Sequence, residues 1–241
     1  MKRIGLLGGM SWESTALYYQ LCNEGVASRL GGLHSADLVM VSVDFAHIAH
    51  LQTQGRWEQA GAELAHKARV LETAGADLVL LCTNTMHKVA AQVEAALTVP
   101  LLHIVDVTAA AARPAGMTRL GLLATRFTME QPFYRDRMAA HGIDLIVPDE
   151  PARNLVHQII YEELCRGIVS DASRTRVLAV IADLVAGDTD RGVDGVILGC
   201  TELELLIQQQ HCPVPVLATT QLHAAAAVDA ALDERDLSTP T

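Results

Sequence analysis

Cys200 is the residue of this sequence with the clearest chemical context. It stands in Leu198-Gly199-Cys200-Thr201-Glu202, where an apolar run meets a polar turn. A thiol at such a strand-to-loop junction faces the N-terminus of the next helix, whose partial positive charge lowers a thiol pKa. Thr201 adds a hydroxyl and backbone donors, and Glu202 adds a base able to hold or take the thiol proton. These groups suit nucleophilic or proton-transfer chemistry. Elsewhere a free cysteine is more often a small buried hydrophobe, and Cys22, Cys165 and Cys212 are read that way.

The elements that must position this thiol follow from a repeat within the chain. Gly75-Ala76-Asp77-Leu78-Val79-Leu80-Leu81-Cys82-Thr83-Asn84 aligns with Gly192-Val193-Asp194-Gly195-Val196-Ile197-Leu198-Gly199-Cys200-Thr201 at a shift of 117. Gly5-Leu6-Leu7 matches Gly121-Leu122-Leu123 at 116, and Val99-Pro100-Leu101-Leu102 matches Val214-Pro215-Val216-Leu217 at 115. Short apolar runs at 3–7, 36–43 and 78–82 read as buried parallel strands. The stretches 13–25 and 58–74 read as helices, the second ended by Gly75. The fold class is therefore α/β, with two similar doubly wound parallel-sheet domains related by a pseudo-twofold. The active site is expected in the cleft between them, at the carboxyl ends of the strands. The domains are expected at 1–112 and 113–216, with a C-terminal helix over 217–241 returning to the first. On this alignment Thr83 and Cys200 are equivalent positions, each ending a buried strand and facing the other.

The chain has 241 residues, 50% of them hydrophobic and only 4% aromatic, and a formal net charge of -10. An acidic chain without Lys/Arg-rich runs or interleaved aromatics is a poor partner for nucleic acid. Its apolar runs are too short to cross a bilayer, and Lys2-Arg3 followed by glycine-rich turn chemistry leads us to expect no secretory signal. Five cysteines without CxxC or Cys/His ligand spacing point to a reducing cytoplasm and to no metal.

Four motifs in chain order, Gly5-Leu6-Leu7-Gly8-Gly9-Met10-Ser11, Cys82-Thr83-Asn84-Thr85, Gly121-Leu122-Leu123-Ala124-Thr125 and Gly199-Cys200-Thr201-Glu202, resemble the aspartate/glutamate racemase superfamily. The resemblance implies cofactor-independent amino-acid racemisation by a homodimer with two doubly wound domains. It also implies two cysteines on opposite faces of the substrate Cα, one thiolate removing the α-proton while the other thiol returns one. Carried over by position, the second cysteine is Cys200 and the first falls on Thr83. The family's Cys-Asn-Thr is here Thr83-Asn84-Thr85, with Cys82 displaced by one residue. Side chains alternate along a strand, so Cys82 should point away from the cleft. A threonine hydroxyl is a far weaker acid and base than a thiol, whose pKa is about 8.5.

Three outcomes stay open: a racemase that deprotonates from the Cys200 side and favours one enantiomer, an enzyme repurposed for a related reaction, and an inactive relative. The first is the expectation, with aspartate or glutamate as substrate, Cys200 and Thr83 catalytic, and Glu202 as auxiliary base. The resemblance assigns the substrate carboxylate to Asn84, Thr85, Thr125, Thr128 and Thr201, for which helix capping is the common alternative. The glycine-rich loop, Met10 included, is assigned to the same small ligand; it lacks the third glycine of a dinucleotide site.

Of the other polar residues, His47, His50, His87 and His103 lie near strand ends but share no metal-ligand spacing with a carboxylate. Asp44 reads equally as a cleft residue or as a turn or N-cap, and Glu162-Glu163 as a solvated helix face. Arg126 and Arg166 are the candidates for binding a side-chain carboxylate. A pyridoxal-phosphate racemase needs a Schiff-base lysine, and Lys2, Lys67 and Lys88 lack a phosphate-cup context. Hydantoin racemases, maleate isomerases and arylmalonate decarboxylases of the same superfamily alter the cysteine pair, which keeps a single-thiol proton donor open. So does a non-catalytic sensor of small carboxylates.

Overall fold

The computed structural model describes residues 1–187 and 192–233. These form two compact units, one of Met1–His103 together with the chain from His223 onward, the other of Ile104–Leu222. The first contains β1 (Ile4–Gly8), α1 (Trp12–Leu30), β2 (Leu38–Ser42), α2 (Phe45–Thr53), α3 (Trp57–Thr73), β3 (Leu78–Leu81), a 3-10 turn at Thr85–Val89, α4 (Ala90–Glu94) and β4 (Leu101–Leu102). The second contains α5 (Ile104–Ala112), β5 (Arg119–Ala124), α6 (Arg126–Glu130), α7 (Pro132–Ala140), β6 (Asp144–Ile146), α8 (Glu150–Gln158) with a π-helical turn at Ile159–Glu163, α9 (Asp171–Ala186), β7 (Gly195–Gly199), α10 (Leu203–Leu206) and β8 (Val216–Ala218). Finally α11 (Thr219–Leu232) starts in the second unit and ends in the first.

Each unit is built on one parallel sheet, ordered β2-β1-β3-β4 and β6-β5-β7-β8. The repeat in the sequence is thus a repeat of topology. The division falls at 103/104 and 222/223 rather than at 112/113 and 216/217. The reason is packing: Ile104, Val105 and Ala109 of α5 and Leu217 of β8 belong to the second unit's core. Residues 234–241 of the expected returning helix lie outside the described residues.

Strand alternation sorts the side chains of each sheet into two cores. In the first unit Leu7, Val79 and Leu81 pack with α3, while Ile4, Leu6, Leu78, Leu80 and Cys82 pack with Tyr18, Cys22 and Val26 of α1 and with Ala224, Ala227 and Val228 of α11. In the second, Leu123, Val196, Leu198 and Cys200 share one core, and Leu120, Leu122, Ala124 and Ile197 the other. Each fully buried leucine or isoleucine contributes about 1.5–3 kcal/mol, so this two-sided burial dominates the stability of both units.

The lower ends of the sheets are tied by a duplicated ion-pair device. Arg3 donates its amide to Asp77 at 2.6 Å and its guanidinium to Asp37 at 2.8 Å. Arg119 does the same with Asp194 at 2.9 Å and Asp144 at 2.8 Å. At the upper end of β1, Gly9 has φ 91 and its amide donates to Thr15 Oγ1 at 2.8 Å. A Cβ there would run into the backbone of Val43, so both the conformation and the close approach require glycine.

Glu204 of α10 is buried and accepts the Thr220 amide of the first turn of α11 at 2.8 Å. Burial pushes its carboxyl up from an ordinary 4.5 to about 7. The folded state therefore holds this proton more tightly than the unfolded chain does. Its contribution to stability is full below about pH 4.5 and is lost as pH rises to about 7. Across that window this group accounts for about 3 kcal/mol. Urea denaturation from pH 4.5 to 7.5 should show that decline in the wild type and a shallower one in Glu204→Gln; equal slopes would remove Glu204 as the cause.

Candidate active site

The second unit contributes a thiol with its own carboxylate. Cys200 is the first residue beyond β7, continuing the row of Val196 and Leu198. The turn closes with Leu203 donating to the Cys200 carbonyl and Glu204 to the Thr201 carbonyl, both at 3.1 Å. That fold-back brings Glu202 under the thiol, and Cys200 Sγ donates to Glu202 Oε2 at 2.9 Å. Cys200 is only 9% exposed, and Thr201 and Glu202 are buried with it. Burial, then the negative charge of Glu202 and the neighbouring Cys165, hold the thiol well above its ordinary value of 9.0. The expected lowering by a helix N-terminus is thus corrected. The following helix, α10, is four residues long, and its small dipole does not offset burial beside a carboxylate. In the unliganded protein Cys200 is a thiol.

The same unit carries further polar groups at α6 and at the π-helical turn after α8. Thr125 Oγ1 and Thr128 Oγ1 are 3.2 Å apart and buried. Thr125 occupies the N-cap position of α6 without making a side-chain cap bond, so capping does not account for it. The Tyr161 hydroxyl is held well above its ordinary value by burial and by Cys200, Cys165 and Glu202, which places it among these groups. Its ring lies 4.7 Å from that of His157, whose Nδ1 accepts the Arg126 amide at 3.3 Å. Burial, then the Arg126 charge, lowers the His157 pKa and favours neutral imidazole.

The first unit contributes hydroxyl and amide groups at the equivalent strand end. Beyond β3, the Thr83 amide donates to the Leu81 carbonyl at 2.8 Å, and the Thr83 carbonyl accepts from His87 Nδ1 at 2.7 Å. Thr83 is 9% exposed, with Asn84 and Thr85 buried beside it. Asn84, at the N-cap of the 3-10 turn, likewise makes no side-chain cap bond. Cys82 is turned into the opposite core against α1, where burial and nearby Cys22 hold its thiol well above 9.0. Met10, in the glycine-rich loop, is buried and shares a core cluster with Ile48, Leu51 and Met86.

Comparison with known proteins identifies the family. A family model for Asp/Glu/hydantoin racemases matches residues 7–227. The chain belongs to that family. A proposed Asp/Glu racemase from Yersinia pestis is 51% identical in sequence, and its crystal structure superposes with a TM-score of 0.89, covering 97% of this chain and 100% of that one. An aspartate racemase homologue from Pyrococcus horikoshii is 30% identical, with a TM-score of 0.83 over the same shares. A glutamate racemase from Actinobacillus pleuropneumoniae is 28% identical over 191 residues, 76% of this chain and 69% of that protein. Membership of this family supports amino-acid racemisation as the general activity.

Other candidates resolve into structural roles. Asp44 caps α2 by accepting the Ala46 amide at 3.1 Å, and His47 pairs with Glu63 at 2.8 Å on the surface. Arg126 pairs with Glu130 at 3.2 Å, and Arg166 is exposed. Glu163 is half-buried rather than solvated and accepts Ser173 Oγ at 2.5 Å. Sequence reasoning missed Tyr161 and His157. Their signal is an aromatic pair four residues apart, on the helical stretch that also carries Cys165. Among the described residues, no group of three or more His, Cys, Asp or Glu side chains could hold a metal ion.

Because the Glu202 charge raises the Cys200 pKa, removing it should enlarge the thiolate fraction. Alkylation of Cys200 by iodoacetamide at pH 8, followed by peptide mass spectrometry, should be roughly fivefold faster in Glu202→Gln than in wild type. An unchanged or slower rate would show that Glu202 does not control this proton.

Proposed function

We propose that this protein racemises aspartate or glutamate without a cofactor, Cys200 addressing one face of the substrate Cα and Thr83 the other. The observation that carries this reading is the Cys200–Glu202 bond of 2.9 Å just beyond β7, whose topological counterpart β3 ends at Leu81, two residues before Thr83. Glu202 takes the thiol proton as substrate binds, and the thiolate removes the α-hydrogen, leaving a carbanion conjugated with the substrate carboxylate. Thr83 delivers a proton to the other face, and water restores its hydroxyl. Asn84, Thr85, Thr125, Thr128 and Thr201 supply amide and hydroxyl donors for the α-carboxylate.

The two faces are unequal because a hydroxyl is a much weaker acid and base than a thiol. The enantiomers have equal free energy, so kcat/KM must be the same in both directions. A bias therefore shows as parallel changes in kcat and KM, with one enantiomer handled tightly but slowly. A second reading draws on the same thiol, which is protonated at rest: a proton donor to a carbanion generated by decarboxylation.

Each enantiomer of aspartate, glutamate and neutral amino acids is incubated in D2O, and Cα deuteration and chirality are followed by NMR and chiral chromatography. Exchange with inversion of the acidic amino acids is expected, abolished in Cys200→Ser, with the slower direction accelerated in Thr83→Cys. Loss of CO2 from a malonate-type acid without amino-acid exchange would favour the decarboxylase. Binding without exchange would leave a sensor.

A further inference from the structure

Three buried histidines and a tyrosine stand together behind Thr83, and the chemistry proposed above uses none of them. His87 lies in the 3-10 turn after Asn84, His103 follows β4, and His223 and Tyr18 come from α11 and α1. The His87 ring is 4.5 Å from that of His103 and 6.0 Å from that of His223. Tyr18 OH donates to His223 Nδ1 at 2.8 Å, and His223 Nε2 donates to the Leu102 carbonyl at 2.9 Å. His223, 0% exposed, is held neutral by burial, which lowers its pKa to about 4. One member of this cluster reaches the candidate site. A carbonyl oxygen can only accept, so the 2.7 Å contact between His87 Nδ1 and the Thr83 carbonyl requires the proton on Nδ1.

We propose that His87 is a positioning residue for the Thr83 face: its Nδ1–H fixes the Thr83 main chain, and thereby the place from which the hydroxyl delivers a proton. This rests on the reading that Thr83 serves the second face. With its amide tied to Leu81 and its carbonyl to His87, Thr83 is held by both of its backbone polar groups outside the sheet. The packed His103 and His223 rings keep the imidazole from swinging away. Cys200 belongs to the other unit and has no part in this hydrogen bond.

The effect is therefore specific to one face. After Cys200 removes the hydrogen in D2O, deuterium arrives either from the Thr83 side, giving the inverted product, or by return from Cys200, giving labelled substrate of retained configuration. The ratio of inversion to retention reads the Thr83 face alone. An asparagine amide places its N–H near the position of Nδ1, whereas the longer glutamine places it near Nε2. His87→Gln and His87→Ala should lower the ratio roughly tenfold, as misplacement of a reacting group does, and His87→Asn should restore most of it. A role in filling space predicts the opposite order, glutamine above asparagine, and that order would overturn the proposal.

Thr83→Ala separates this proposal from the reading beneath it. If Thr83→Ala lowers the ratio and the His87 variants do not, the His87 assignment alone falls. If Thr83→Ala leaves the ratio unchanged, the Thr83 reading falls and takes His87 with it. Should the substituted proteins not fold, the 15N shifts of His87 in the wild type decide the matter. A protonated Nδ1 with a pyridine-like Nε2 is expected, and the reverse tautomer would refute the positioning bond.

Discussion

The two-residue period of a strand is the constraint on which the candidate site depends. At the end of β3 it sends Cys82 to the core shared with Tyr18 and Cys22 and leaves Thr83 in line with Val79 and Leu81. At the end of β7 the same period sends Cys200 in line with Val196 and Leu198. A thiol is present in both repeats, yet the pleat makes the two thiols different objects. Moving Cys82 into register would require a one-residue slip of a strand buried on both faces. Such a slip would turn Leu78, Leu80 and their neighbours inside out, at a cost set by several leucine-sized burials. The fold therefore protects the threonine position from being exchanged for its neighbouring cysteine by any local rearrangement.

The second organising effect is desolvation. Cys200 sits where water is excluded, and the nearest charge is a carboxylate rather than a cation, so both effects favour the neutral thiol. A helix dipole opposes them only when the helix is long enough to sum its peptide units, and α10 spans Leu203–Leu206. Proton transfer between this thiol and the carboxylate beside it moves one charge 2.9 Å without creating a new one, and its cost is set by how far the thiol pKa stands above that of the carboxylate. Glu202 is the carboxylate that accepts the Cys200 proton's hydrogen bond. Tyr161, with its hydroxyl held protonated among the same groups, can donate to that charge but cannot replace it as a base.

Much of this was legible in the sequence. The shift of 117 between Gly75 and Gly192 predicted equivalent strands, and the identical strand orders follow from it. Asp77 and Asp194 carry the repeat further, each fixing the amide of an arginine that opens the central strand of its sheet. The domain boundary was not legible. An alanine-rich helix such as α5 packs equally well against either core by pattern alone, and only the long-range contacts of Ile104 and Val105 decide it. Nor was the thiol's proton legible, since a Cys-Thr-Glu string does not say how long the next helix is. Met10 reads as a loop residue because glycines precede it, and its membership of the core cluster with Ile48 and Met86 has no signal in that short string. His87 lay in plain view four residues after Thr83, but a 3-10 turn with a side chain bonded back to residue i−4 has no periodic signature.

The two halves have the same topology and opposite chemical character, and this follows from what each strand end is packed against. Beyond β3 the neighbours are hydroxyls, an amide and imidazoles, and burial holds one of these, His223, neutral between a tyrosine hydroxyl and a carbonyl. Beyond β7 the neighbours are a carboxylate, two thiols and a phenol. The second side thus sets an acid, the Cys200 thiol, directly against a carboxylate. The first side holds the Thr83 main chain through Leu81 and His87. One shared topology thus carries an acid–carboxylate pair at one strand end and a hydroxyl segment held through its main chain at the other. That division arises from burial acting on different side chains in a shared fold, without any change of backbone.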